Sequence, residues 1–276
     1  MESNLDYVRP VAPVAPYIGG KRNLAGRVTR LLAEIPHDSY AEPFIGMGGI
    51  FLRRRQRPRA EAINDISGDV TTLFRILQRH YQAFMDMLKW QLTSRAEFDR
   101  LMRVDPETLT DLERAARFLY LQRTTFGGKV AGRTFGVSAG NPARFDVTKL
   151  APMLEEVHER LAPVVIERLA YAEFIRRYDR PGALFYLDPP YWECERDYGD
   201  GVFGREDFER LADQLAGIAG KFVLSINDTP GVREVFARFQ MLEVGTTYSL
   251  STATAGAAKK AGELIIGNVH SRGGLP

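Results

Sequence analysis

The stretch Ala183-Leu184-Phe185-Tyr186-Leu187-Asp188-Pro189-Pro190-Tyr191-Trp192 decides how this 276-residue chain is read. Its apolar start, with two aromatic residues, predicts a strand buried on both faces of a sheet. Two successive prolines then remove two backbone donors and fix φ at roughly −65°, so the strand stops and the chain leaves the sheet stiffly. Asp188 and Tyr191 are thereby held at the strand's carboxyl end, the edge at which open α/β sheets bind ligands. A carboxylate, a rigid diproline and an aromatic ring form a slot for a flat base that carries an exocyclic amino group. In that slot Asp188 and the Pro189 carbonyl accept the two amino hydrogens while Tyr191 stacks on the ring. Taken alone, the same residues also fit a plain strand end with Asp188 as a cap and Tyr191 as packing, so the remaining chain has to decide.

Upstream, Ser39 to Leu52 reads as a short strand, a glycine-rich turn at Phe44-Ile45-Gly46-Met47-Gly48-Gly49, and a helix. Such a turn exposes backbone N–H groups and lets a nucleoside or amino-acid moiety lie against the chain. No Gly-Lys-Ser/Thr follows, so it is not a Walker loop, and it fits Gly-x-Gly-x-x-Gly poorly. A second strand, Ala60 to Asn64, delivers Asp65 about 20 residues after the glycines, the spacing from which a carboxylate reaches ribose hydroxyls. A helix N-cap is the plainer role for Asp65. Before both lies Tyr17-Ile18-Gly19-Gly20-Lys21, ahead of a helix from about Asn23 to Glu34, where the glycines permit close backbone approach and Lys21 offers charge. Residues 1–16, with three prolines, read as an extended arm.

Residues 69–117 carry helical periodicity, broken at Asp105-Pro106. From Tyr120 to Gly136 the chain becomes rich in glycine, cations and aromatics, which predicts a hairpin around Gly132. Basic and aromatic side chains interleaved on a loop suit a nucleic-acid backbone and unstacked bases, although a glycine-rich surface hairpin has the same composition. The α/β alternation resumes after Phe145. It comprises a strand at Val164 to Leu169, a helix at Tyr171 to Tyr178, the strand at Ala183, a Gly-rich and charged segment at 193–204 suited to closing over a pocket, and a helix at Glu206 to Ile218. A strand at Phe222 to Ile226, a helix at Gly231 to Phe239, and strands near Tyr248 and at Leu264 to Ile266 complete it. Seven strand candidates imply a doubly wound α/β sheet interrupted by a helical insertion.

Bulk properties restrict the alternatives. Hydrophobic content of 45% and charged content of 26% are ordinary for a globular protein. The net charge of +2 hides two basic clusters, Arg53/Arg54/Arg55/Arg57/Arg59 and the arginines and lysine between Arg114 and Arg144. The first cluster reads as a solvated helix end. One cysteine, Cys194, and four scattered histidines offer neither a disulfide nor metal-ligand spacing. No apolar run approaches a membrane span and no signal peptide is evident, so a cytoplasmic location is expected.

Together, Tyr17 to Lys21, Phe44 to Gly49, Asn64-Asp65, Asp188-Pro189-Pro190-Tyr191, Ser225-Ile226-Asn227-Asp228 and Glu263-Leu264-Ile265-Ile266 resemble the Dam-like, alpha-group (D12 class) DNA adenine-N6 methyltransferases across nearly the whole chain. The resemblance implies a Rossmann-like class I methyltransferase domain at 1–68 and 145–276. It also implies an inserted, mainly helical target recognition domain with a β-hairpin at 69–144. Tyr17, Lys21, Phe44, Gly46, Gly48 and Asp65 would then hold S-adenosylmethionine, with Asp188 near its methionine end. Many relatives place an acidic residue against the cofactor adenine where this chain has Leu169-Ala170-Tyr171, so Tyr171 or Glu173 is expected to substitute. Asp188, Pro189, Pro190 and Tyr191 would hold a flipped adenine, and Gln122, Arg123, Thr124, Phe126, Lys129 and Arg133 would touch double-stranded DNA. No metal and no membrane is implied, and the helices of residues 69–108 offer a homodimer surface. The competing readings are an RNA guanine-N2 or protein glutamine methyltransferase, which usually lacks such an insertion, and a catalytically silent DNA-binding relative.

Overall fold

A computed structural model describes residues 5–17, 21, 23–136, 140, 142–195, 203–247 and 260–269. The expected strand forms as β6 (Ala183–Leu187), with all five residues buried. It lies fourth in a seven-stranded sheet that also contains β2 (Ser39–Glu42), β4 (Ala60–Asn64), β5 (Val165–Glu167), β7 (Lys221–Asn227), β8 (Gln240–Thr247) and β9 (Lys260–Gly267). The order is β5-β4-β2-β6-β7-β9-β8. The pairs from β5 through β7 are parallel, and β9 runs against both β7 and β8. The chain starts at β2, winds out to β5, and returns to β6 on the other side of β2, so the order reverses between β2 and β6.

Alternation along β6 explains the layering. Leu184 and Tyr186 enter a core with Val28, Leu31 and Leu32 of α1 (Ala25–Glu34), with α2 (Gly68–Arg79), and with Leu150, Leu154 and Val157 of α6 (Val147–Leu161). Phe185 and Leu187 enter a second core with Phe174 of α7 (Tyr171–Tyr178), Phe208 and Leu211 of α8 (Arg205–Ala216) and Val232 of α9 (Pro230–Val235). Period two in a strand sends neighbours to opposite faces, and each such side chain buried contributes roughly 1.5–3 kcal/mol.

The chain of residues 69–144 leaves from the β4-to-β5 crossover. Its helices α3 (Tyr81–Leu88), α4 (Arg95–Arg103) and α5 (Asp111–Thr124) put Phe84, Phe98 and Phe118 into the same core as α2 and α6, continuous with one face of the sheet. A capping box at Thr110 and Glu113 starts α5, whose C-terminal end reaches the arm at Pro16, where the Gln122 amide donates to the Pro16 carbonyl at 2.8 Å.

Several expectations change. The glycine turn runs into a 3-10 turn at Phe51–Arg53 rather than a helix, because Arg54 is extended and the chain must form β3 (Gln56–Arg57) against β1 (Asp6–Tyr7) of the arm. The arm is therefore bound, with Val11 and Val14 buried. The hairpin is reduced to one antiparallel bridge, Thr125 opposite Phe135, because Gly127 and Gly128 both take a φ of 70° and turn the chain before a ladder forms. The last helix stops at Val235 and β8 begins at Gln240. Tyr248 lies outside the described residues.

The arginine cluster is not uniformly solvated. Arg54 is buried, stacks 3.5 Å from the Tyr40 ring centroid and donates to Glu61 Oε1 at 2.8 Å. Glu61 also accepts from Arg160 of α6 at 2.6 and 2.8 Å, which ties β4 to that helix through a buried ion group. No described helix is long and apolar enough to cross a membrane.

Candidate active site

Where the strand order reverses, the carboxyl ends of β2, β4 and β6 open into one cleft of about 900 Å³. Tyr17, Lys21, Phe44, Gly46, Asp65, Tyr171, Asp188 and Pro190 all line it, so residues separated by up to 173 positions meet in one cavity. Gly48 does not line it. Its φ of 73° bends the turn, and a Cβ there would meet Leu52 at 2.9 Å, while Gly49 reaches the cleft instead. Ile18, Gly19 and Gly20, and the part of the presumed closing segment at 196–202, lie outside the described residues.

Asp65 shapes one end. Its Oδ2 accepts the Gly46 N–H and its Oδ1 the Ser67 N–H, each at 2.9 Å. This carboxylate therefore braces the glycine turn and the start of α2 together, and each oxygen retains a second lone pair toward the cleft. Burial pushes its pKa up to about 6 against the pull of those two N–H groups. Neighbouring Asn64 locks three segments: its amide donates to the Pro43 and Leu169 carbonyls at 2.9 and 3.0 Å and accepts the Leu169 N–H at 2.8 Å.

Beside Asp65 stands an aromatic wall. The Phe44, Tyr171 and Phe203 rings lie pairwise 5.6, 5.9 and 5.7 Å apart. The Tyr171 hydroxyl donates to Asp207 Oδ1 at 3.0 Å, so the carboxylate bonded to this wall comes from α8 and not from the Leu169-to-Glu173 segment. Glu173 is instead paired with Arg177 at 2.9 Å.

Asp188 forms the other end, with its side chain 23% exposed. Lys21 Nζ lies 3.0 Å from Asp188 Oδ1 and 2.5 Å from the Tyr191 hydroxyl, and it also contacts Glu263. Tyr191 Oη donates to Glu263 Oε1 at 2.9 Å, and the Lys21 ammonium sits 4.3 Å from the Tyr191 ring centroid. Burial raises the Asp188 pKa to about 6, with Lys21 pulling it down and Glu263 pushing it up. The diproline, buried at both positions, runs into Trp192, whose backbone N–H and C=O both bond Asn227 at 2.9 and 3.0 Å.

Glu42, at the end of β2, is a buried carboxyl lining the cleft that sequence reading passed over. Burial lifts its pKa to about 8, although the Tyr40 hydroxyl donates to it at 2.6 Å. The folded chain holds a proton there that the unfolded chain releases, so stability falls as pH rises from about 4.5 through 8. Glu42→Gln keeps an acceptor for Tyr40 and removes the titration. It should raise unfolding stability at pH 9 by about 5 kcal/mol, with a far smaller change at pH 5. Urea unfolding across that range checks this, and equal pH slopes for the two proteins would contradict it.

The residues expected at DNA divide into two groups. Gln122 and Thr124 are buried. The Gln122 amide donates to the Pro16 and Gly128 carbonyls, and Thr124 Oγ1 donates to Tyr120 O at 2.7 Å, so both hold the loop instead of facing outward. Arg123 lines the cleft while donating to Val14 O and Arg144 O at 2.7 and 2.9 Å. Phe126 is 46% exposed and Lys129 is exposed, whereas Arg133 is half-buried and donates to Gln122 Oε1 at 3.2 Å. Phe203, Asp207 and Arg210 are further site residues absent from the sequence reading, which took Arg53 only as part of a basic cluster and Glu263 only as part of a motif, with no site role for either. Among the described residues no group of three or more His, Cys, Asp or Glu is placed to hold a metal ion.

The family model of D12 class N6 adenine-specific DNA methyltransferases matches residues 17–250. Type II methyltransferase M.CviBI of Paramecium bursaria Chlorella virus NC1A is 25% identical over 230 residues, covering 81% of this chain and 86% of its own length. Type II methyltransferase M1.LlaDCHI of Lactococcus lactis subsp. cremoris is 26% identical, covering 93% and 95%. The DNA N-6-adenine-methyltransferase of Escherichia phage P1 is 23% identical, covering 83% of this chain and 32% of its own length.

Proposed function

Because the chain belongs to the D12 class N6 adenine-specific DNA methyltransferases and methylates adenine in DNA, we propose that its cleft holds S-adenosylmethionine at the Asp65 end and a flipped target adenine at the Asp188 end. The observation that carries this reading is the shared cavity: Asp65 and Asp188 face one space beneath the glycine turn. The donor set fits such a cofactor. Asp65 keeps lone pairs for ribose hydroxyls, Phe44, Tyr171 and Phe203 enclose a flat nucleobase, and ionised Asp188 favours positive charge beside it. When bound, S-adenosylmethionine supplies an electrophilic methyl group on a positively charged sulfur.

The protein's own task is to orient the amino group. Adenine's amino lone pair is delocalised into the ring, which makes the nitrogen a weak nucleophile. Asp188 Oδ, with the Pro189 carbonyl, accepts the two amino hydrogens and draws the nitrogen toward tetrahedral geometry. Near neutral pH Asp188 is mostly ionised, since its pKa lies near 6, and so is a strong acceptor. Pro190 and Tyr191 keep this ledge stiff, and the buried walls keep water from competing. An amino group inside a double helix is out of reach, so the base must be extruded, at a cost of a few kcal/mol offset by contacts from the insertion.

Those contacts are assigned to Arg123, which lines the cleft, and to Phe126, Lys129 and Arg133 of the loop that follows it. Lys129→Ala is expected to weaken duplex binding on every sequence and to reduce the slope of log affinity against log salt by about 1. An unchanged slope in a salt titration would place Lys129 away from the phosphates. For the function as a whole, DNA from cells expressing the protein should carry N6-methyladenine within a defined short sequence, as read by methylation-sensitive sequencing. Methylation that is absent, or scattered without a common sequence, would count against site-specific action.

A further inference from the structure

We propose that Glu263 is a positioning residue for methyl transfer: by sharing the Lys21 ammonium and taking the Tyr191 hydroxyl, it keeps Asp188 available to the adenine amino group. This rests on Asp188 being the acceptor proposed above.

Three facts support the assignment. Glu263 is 1% exposed and stands 242 residues from Lys21 in sequence, held by strand pairing on both sides of β9, and it meets both Lys21 and Tyr191. In that pairing Glu263 stands directly opposite Asn227, so both side chains project on the same face. One rung of the sheet thus grips two successive residues of the ledge, Asn227 the Trp192 backbone and Glu263 the Tyr191 hydroxyl. Burying a carboxylate in a sheet is unfavourable unless it is paired, and here the pairing is with the site itself.

Charge gives the mechanism. Among the described residues, Lys21, Glu42, Tyr186, Tyr191 and Glu263 are titratable groups around Asp188. Glu42 and Tyr186 titrate well above the Asp188 range and are neutral while Asp188 changes charge. Among the described residues, that leaves the Lys21 ammonium between the Asp188 and Glu263 carboxylates. With Glu263 present, Lys21 is divided, and Asp188 keeps a lone pair for the substrate and binds its proton more readily. Without Glu263 the ammonium would turn wholly to Asp188, occupying the acceptor and making its protonation harder.

The test is the pH dependence of single-turnover methyl transfer in the enzyme, S-adenosylmethionine and duplex DNA complex. Glu263→Gln should lower the plateau rate about tenfold, leave the KM for S-adenosylmethionine within about twofold, and move the acid limb to lower pH by about one unit. Asn227→Ala, which loosens the ledge without changing charge, should lower the rate and leave the limb in place. An unmoved limb in folded Glu263→Gln overturns the proposal. Should that variant fail to fold, Lys21→Gln decides: the limb must move to higher pH, and an unmoved limb overturns the proposal equally. Near-normal activity in Asp188→Ala would instead remove the underlying reading of Asp188, a separate failure.

Discussion

Asp188→Ala is expected to slow methyl transfer by at least about a thousandfold while changing duplex DNA affinity by less than about threefold. Alanine offers no acceptor, so the amino nitrogen keeps its planar, delocalised lone pair, and the Pro189 carbonyl alone cannot orient both hydrogens. The variant should fold. Lys21 retains Glu263 and Tyr191 as partners, so removing Asp188 leaves no orphaned ammonium. Asp188 is itself a partly buried carboxylate whose pKa is raised to about 6, so at neutral pH its loss removes some desolvation penalty as well as an ion pair. An unfolding midpoint near that of the wild type, together with retained binding of S-adenosylhomocysteine, would tie the lost rate to chemistry. Activity within tenfold of wild type would remove Asp188 from its assigned role.

Asp65→Ala carries the second largest effect, on cofactor affinity. It removes the acceptor assigned to the ribose hydroxyls and leaves the Gly46 and Ser67 N–H groups without their carboxylate. Each loss of a buried partner costs about 1–3 kcal/mol. The Kd for S-adenosylhomocysteine, measured by calorimetry, should rise at least about a hundredfold. Asp65→Asn keeps an acceptor at one oxygen and should lie between wild type and Asp65→Ala. A Kd within threefold of wild type for Asp65→Ala would mean that this carboxylate only braces the glycine turn.

The parts of the fold that were legible are those in which local chemistry permits one answer. The apolar run at Ala183 followed by two prolines leaves few options besides a buried strand ending at Asp188. The 20-residue spacing from the glycines to Asp65 placed that carboxylate beside the turn, and its bond to Gly46 N confirms the proximity. Burial was less legible. Gln122 and Thr124 have the composition of a DNA-contacting loop, but the end of α5 packs against the arm and turns both inward. Arg54 stood in a run of five exposed-looking arginines and found Glu61 and the Tyr40 face through tertiary packing. The helix expected after the glycines lost to the β1–β3 pairing, an interaction across some 50 residues. Asp207 and the role of Glu263, known only as part of a terminal motif, were not legible because nothing near them in sequence announces the partner: Glu263 finds Lys21 through strand register, and Asp207 finds Tyr171 across the two helices.

The central claim is that one cleft brings the cofactor's methyl group to an extruded adenine at Asp188. Crystallography of the protein with S-adenosylhomocysteine and duplex DNA tests it most directly. The expected result has ribose hydroxyls within hydrogen-bond distance of Asp65 and the target amino nitrogen equally close to Asp188 Oδ. A cofactor bound outside the cleft lined by these two carboxylates, or an adenine still stacked in the duplex while the cleft is occupied, would contradict it.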